Sequence, residues 1–98
     1  MTKVRTPSRT IKTLKLMLDN QDKGMYNLNI SQQLGIRDSD VYPNLKKMLE
    51  DDLIYVDHEV ETNHHLARKY YKICEDKLPF VKHIVQQEVE FWTSNFKQ

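Results

Sequence analysis

With 98 residues, 39% of them hydrophobic, and a single cysteine, the chain has room for one small core and no internal disulfide, which fits a reducing, cytoplasmic setting. It contains no apolar run near the ~18 residues that would span a membrane, no signal-peptide core behind its basic N-terminus, and too few glycines and prolines, two and three, for a loop-rich or barrel fold. The net charge of +1 conceals a polarity: residues 1–18 hold Lys3, Arg5, Arg9, Lys12 and Lys15 and no acid, whereas residues 50–61 hold Glu50, Asp51, Asp52, Asp57, Glu59 and Glu61 and neither Lys nor Arg.

Residues 1–6 read as a mobile arm. Thr6-Pro7-Ser8 then opens a helix in which Ile11, Leu14, Met17 and Leu18 recur at helical spacing. The polar stretch 20–24 breaks it, and Met25-Tyr26-Asn27 reads as a very short strand or the lead-in to the next helix. That helix covers about residues 28–34, with Leu28, Ile30 and Leu34 inward and Gly35 as its terminator. After a short turn, Asp38 or Ser39 can cap a second helix. Its apolar stripe is Val41, Leu45, Met48 and Leu49, and Pro43 sits in or near its first turn. The opposite side carries Ser39, Pro43, Lys46 and Lys47, with Tyr42 and Asn44 on the flanks. Ammonium groups suit phosphate or guanine and a carboxamide can pair bidentately with adenine, so this is a face fit for a DNA groove. Taken alone it is equally the face of an ordinary surface helix.

After Asp52 the periodicity changes. Leu53-Ile54-Tyr55-Val56 and Arg68-Lys69-Tyr70-Tyr71-Lys72-Ile73 read as strands joined by a polar loop, with one of the two adjacent tyrosines inward and the other outward. Three helices followed by strand, loop and strand make a winged helix-turn-helix, a far more specific pattern than two helices and a turn. From Glu75 a last helix begins, capped by Asp76 with Pro79 in its first turn, and carries the stripe Val81, Ile84, Val85, Val89, Trp92 and Phe96. Such a stripe needs more cover than so small a domain supplies, and a partner copy is the natural cover. The expected class is therefore mainly α with a small β-hairpin (α+β). Residues 1–74 form the winged helix-turn-helix, residues 75–98 form a C-terminal dimerisation helix, and the whole makes one compact domain.

Val41-Tyr42-Pro43-Asn44-Leu45-Lys46-Lys47-Met48-Leu49-Glu50 resembles the recognition helix of the PadR family of winged-helix transcriptional regulators, and Ala67-Arg68-Lys69-Tyr70-Tyr71-Lys72-Ile73 resembles that family's second wing strand. Asp52 stands where the family has glycine, Cys74 where it has threonine, and the loop 61–66 lacks the usual glycines and proline. The similarity covers about residues 8–96 and implies a homodimer that binds double-stranded DNA.

The residues then proposed as DNA contacts are Arg5, Arg9, Lys12, Ser39, Tyr42, Asn44, Lys46, Lys47, Arg68 and Lys69. The alternative for the wing cations is a charged edge strand that resists aggregation. His58, His64, His65 and Cys74 are of metal-ligating type but show no ligand spacing, so neither metal nor cofactor is expected. Trp92 serves dimer packing, the alternative being a planar ligand of the kind some PadR members bind. The acids of residues 50–61 lie in a charge run without a nucleophile or oriented base, so no enzyme is expected. The leading reading is a homodimeric repressor at a palindromic site. Its rivals are a plasmid or viral centromere-binding partition adaptor that recruits a segregation protein, and a winged-helix protein-interaction module that binds no DNA.

Overall fold

A computed structural model of the chain describes residues 8–62 and 67–96, with the backbone course alone for residue 8 and residues 89–96. Arg5 and the arm, together with His64 and His65 of the wing loop, lie outside the described residues. The elements are α1 (Ser8–Asp19), α2 (Asn27–Leu34), α3 (Asp38–Glu50), β1 (Ile54–Val60), β2 (Arg68–Ile73), a 3-10 turn (Glu75–Lys77) and α4 (Leu78–Phe96). This is the winged helix-turn-helix in the expected order, an α+β fold.

α1 is the centre of the packing and touches α2, β2 and α4. Ile11, Leu14 and Met17 face the core, and Thr13 is buried among them. A buried hydroxyl needs a partner, and Thr13 donates to the Arg9 carbonyl one turn back at 2.8 Å. Beyond α1 the chain turns through Gly24, whose φ is +80° and whose absent Cβ would stand 3.1 Å from the Tyr71 carbonyl oxygen. Both the dihedral and the close approach require glycine here.

That close approach sets up the sheet. The strand expected at residues 25–27 is reduced to Met25, whose N–H donates to the Tyr71 carbonyl at 3.0 Å while the Tyr71 N–H donates back at 2.8 Å. Two residues further along β2, the Gln21 side chain does what a strand residue would do. It donates to the Ile73 carbonyl at 2.7 Å and accepts from the Ile73 N–H at 3.0 Å. The edge of β2 is thereby satisfied without a full third strand.

In α2 the buried residues are Ile30 and Ser31, with Leu34 half-buried, whereas Leu28, expected inward, is 45% exposed. At 3.6 residues per turn Leu28 and Ile30 lie about 200° apart, so one helix cannot bury both against one neighbour. Gly35 ends α2 at φ +68°, and the Ile36 N–H returns to the Ser31 carbonyl at 3.1 Å. α3 starts one residue earlier than either expected cap allows. Arg37 takes the N-cap position without a side-chain hydrogen bond, and Asp38 and Asp40 in the first turn meet the positive end of the helix dipole instead. Pro43 is consequently the sixth residue of α3, past the first turn, and leaves the Ser39 carbonyl without its intrahelical donor on the exposed side.

The end of α3 is a two-bond cap. The Leu53 N–H reaches the Met48 carbonyl at 2.9 Å and the Asp52 N–H reaches the Leu49 carbonyl at 3.1 Å. The cap needs a left-handed residue at position 52, and Asp52 supplies it at φ +58°. The residue that departs from the family's glycine thus adopts the glycine's conformation, which Asp tolerates better than most side chains.

β1 runs further than expected, to Val60, and pairs antiparallel with β2 from Ile54↔Ile73 to Val60↔Arg68, with a bulge at Asp57. Ile54, Tyr71 and Ile73 reach the core, while β1 beyond Ile54 is exposed throughout. α4 begins at Leu78 rather than Glu75, behind the 3-10 turn, with Pro79 in its first turn as expected. Its Val81 and Val85 are buried in the protein's own core and Ile84 packs against it.

Asp52→Gly should raise stability by up to about 1 kcal/mol and Asp52→Val should lower it by about 1–2 kcal/mol, read as opposite shifts of the urea midpoint.

Candidate nucleic-acid interface

The geometry of α3 follows from its buried stripe. With Val41, Leu45 and Met48 in the core, Ser39, Tyr42, Pro43, Lys46 and Lys47 are all exposed, Tyr42 at 58%. Lys46 has no ion-pair partner among the described residues, and Lys47 has only the exposed Asp51 carboxylate at 3.6 Å, one turn on. Arg37, just before the helix, is loosely paired with Asp40 at 3.2 Å. An open row of a phenol, a hydroxyl and two ammonium groups can meet phosphates and base edges alike.

Asn44 does not belong to that row. Its carboxamide oxygen accepts from the Thr10 hydroxyl at 2.9 Å and its amide donates to the Thr13 hydroxyl at 3.2 Å. These bonds tie α3 to α1, and Asn44 is half-buried between the helices. The expectation that Asn44 pairs with adenine is corrected on this point. The side chain flanks the buried stripe closely enough that α1 takes up its donors and acceptor. A second tie runs from the Asn27 side-chain amide to the Asp38 carboxylate and joins the starts of α2 and α3.

On α1, Arg9 and Lys12 are exposed and line, with Leu34 and Ile36, a cleft of about 280 Å³. They stand over the turn that leads into α3, two cations free of ion pairs among the described residues.

The wing distributes its cations differently. Lys69 is exposed and pairs in register with Glu59. Lys72 lies 3.4 Å from the Asp57 carboxylate, which also meets His58 Nδ1 at 2.8 Å. The hydrogen bond with His58 holds the Asp57 carboxyl below its usual range, with the Lys72 ammonium adding to the effect. Arg68 lies flat over the Tyr26 ring, 4.1 Å from its centroid. Of the adjacent tyrosines, Tyr71 is the inward one and Tyr70 stacks on His58. Burial raises the Cys74 thiol pKa, the carboxylates of Asp76 and Asp52 adding to it, so the thiol is not activated. Side chains at Val89, Trp92 and Phe96 lie outside the described residues.

Sequence reasoning missed the Asn44–threonine tie, the Gln21 bonds to β2 and the ring cluster of the wing. Only the cluster left a signal. Strand alternation puts Arg68, Tyr70 and Lys72 on one face, opposite Tyr71 and Ile73.

No protein-family model matches the sequence, and no curated protein matches it. Solved structures match in fold. A mutant of Staphylococcus aureus MepR aligns over 91% of this chain and 63% of its own at a TM-score of 0.71 and 17% identity. Another MepR mutant, bound to an oligodeoxyribonucleotide, aligns over 93% of this chain and 64% of its own at a TM-score of 0.68 and 18% identity. A PadR-like transcriptional regulator from Bacillus cereus aligns over 90% of this chain and 92% of its own at a TM-score of 0.66 and 20% identity. The chain thus spans under two-thirds of the MepR chains and nearly all of the PadR-like one. The fold is that of winged-helix regulators, PadR-like regulators among them, in line with the sequence resemblance.

Asn44→Ala should lower stability by about 1–2 kcal/mol, since two half-buried hydrogen bonds are lost. Binding to specific and scrambled duplexes should fall alike. Relaxed preference at one base position with unchanged stability would instead make Asn44 a base reader.

Proposed function

We propose that this chain is a homodimeric, sequence-specific, double-stranded-DNA-binding transcription regulator, acting as a repressor at a palindromic site. One observation carries the reading: α3 follows α2 across a short turn and buries one stripe completely while it leaves Ser39, Tyr42, Lys46 and Lys47 open. In a helix-turn-helix that helix enters the major groove, and a dimer reads half-sites about 34 Å apart. The oligodeoxyribonucleotide bound by a MepR mutant of the same fold and the PadR-like regulator's description support it. Lys46 and Lys47 take guanine or phosphate, and Arg5, Arg9, Lys12 and Lys69 take phosphates. Neither catalysis nor a cofactor is needed. No helix among the described residues is long and apolar enough to cross a membrane, and a cytoplasmic site of action fits a DNA partner.

The dimer is assigned to residues 75–98. Val81 and Val85 belong to the chain's own core and serve by fixing the helix. Ile84 and the exposed Phe80, followed at helical spacing by Val89, Trp92 and Phe96, are left for the partner copy. A second reading, the partition adaptor with a partner protein, draws on the acidic strand β1, whose Asp57, Glu59 and Glu61 or its neighbours are exposed.

Footprinting on the neighbouring genomic DNA separates the two: one protected palindrome supports the regulator, and protection spreading over repeats supports the adaptor. Against a specific duplex, Lys46→Ala or Lys47→Ala should weaken binding, by about 1–3 kcal/mol with lost discrimination for a base contact, or by a salt slope lowered about 0.9 for a phosphate contact. Wild-type affinity in both variants would remove α3 as the reading head. By sedimentation, wild-type protein should be a dimer at micromolar concentration, and Trp92→Ala should cost ~3 kcal/mol or more of combined folding and association.

A further inference from the structure

We propose that Arg68 is a positioning residue that sets the direction of the wing through a stack of rings, and is not a contact to phosphate. The role proposed here rests on the DNA-binding reading for its consequence, though not for its geometry.

The stack crosses the whole sheet. The Arg68 guanidinium covers one face of Tyr26 at 4.1 Å. Tyr26 meets Tyr70 at 5.1 Å between centroids, tilted by 58°. Tyr70 lies 4.5 Å from His58, nearly parallel at 10°. His58 ends on the Asp57 carboxylate at 2.8 Å, which holds Lys72 at 3.4 Å. The participants come from the segment beside Met25, from β2 and from β1, and Tyr26 is also the N-cap residue of α2. One continuous contact therefore joins the wing to the first residue of the helix-turn-helix.

The hairpin needs such a joint. Its core contacts end at Tyr71 and Ile54, and the outer residues of both strands have no apolar layer beneath them. A two-stranded ribbon of this kind is marginal by itself. Its direction must come from side chains on its outer face, and the ring stack is the contact there that reaches back to the helices. A guanidinium suits the end of a stack because it is planar and weakly hydrated, whereas an ammonium is compact and strongly hydrated. A group already engaged on one face over Tyr26 is held at the wing's root. In DNA binding it acts through the wing's angle.

The test compares wild type with Arg68→Lys, Arg68→Gln, Tyr26→Leu and Tyr26→Phe. Without DNA, amide hydrogen exchange is followed at residues 58–60 and 68–70. Arg68→Lys and Tyr26→Leu should speed it roughly two- to five-fold, the size of one exposed cation–π contact, and Tyr26→Phe should leave it as in wild type. With duplex DNA, both Arg68 variants should bind more weakly while keeping the wild-type salt slope. The proposal is overturned if Arg68→Lys keeps wild-type exchange, or if Arg68→Lys keeps wild-type affinity while Arg68→Gln lowers the salt slope by about 0.9, the signature of a lost phosphate contact. Wild-type protein that binds no duplex would end the DNA-binding reading instead, and the exchange arm alone would then decide the stack.

Discussion

The surface of this protein depends on how α3 is held against rolling. Burial of Val41, Leu45 and Met48 keeps the helix on the core, but apolar contact is non-directional and fixes a helix's distance better than its rotation. Hydrogen bonds are directional. The bonds from Asn44 to Thr10 and Thr13 grip one flank of α3 from α1, and the Asn27–Asp38 contact grips its start. At its end the left-handed Asp52 turns the chain sharply into β1. A rotation by one residue, about 100°, would carry Leu45 toward solvent and Lys46 toward the core. The open row of Tyr42, Lys46 and Lys47 is thus a consequence of contacts on the far side of the helix.

β2 supplies the second frame. Its inner half is bonded on both edges, by β1 on one side and by Met25 and the Gln21 carboxamide on the other. Its outer half has β1 alone. The transition falls at Tyr71, where the core also stops, so order imposed by burial gives way to order imposed by rings and charges. Lys72 is engaged with Asp57 and Arg68 with Tyr26, and Lys69 is the wing cation left open among the described residues. The basic character that sequence alone suggests for the whole strand is therefore concentrated at one position.

What was legible in the sequence was what repeats. Element order, the stripe of α3, the inward Tyr71 and the terminating Gly35 all follow from periodicity or from a dihedral only glycine favours, and each is local. The misread features depend on what lies across the fold. Leu28 is apolar and falls near the expected face, yet the neighbour covers only Ile30, Ser31 and Leu34. Asn44 looks like a reader until Thr10 and Thr13, more than thirty residues earlier, are placed beside it. Gln21 is an unremarkable turn residue until Ile73 arrives 52 positions later. Polar side chains carry little pattern of their own, and tertiary partners decide their roles.

The near-zero net charge belongs to the same argument. Salt at ~0.15 M limits exposed charges to a reach of about 8 Å, so a total over the chain says less than what stands within a turn or two of a given group. β1 rises about 3.3 Å per residue, which puts Glu59 about 16 Å along the strand from Ile54 and the core. Its acids therefore shape the hairpin far more than they screen Lys46 or the cleft cations Arg9 and Lys12. Within the hairpin the register sets Glu59 directly against Lys69 and the bulge turns Asp57 toward His58 and Lys72. The acids of the wing thus answer to its own cations, and the polarity that runs along the sequence becomes a separation of surfaces: a self-compensated ribbon on one side, and uncompensated cations on α1 and α3 on the other.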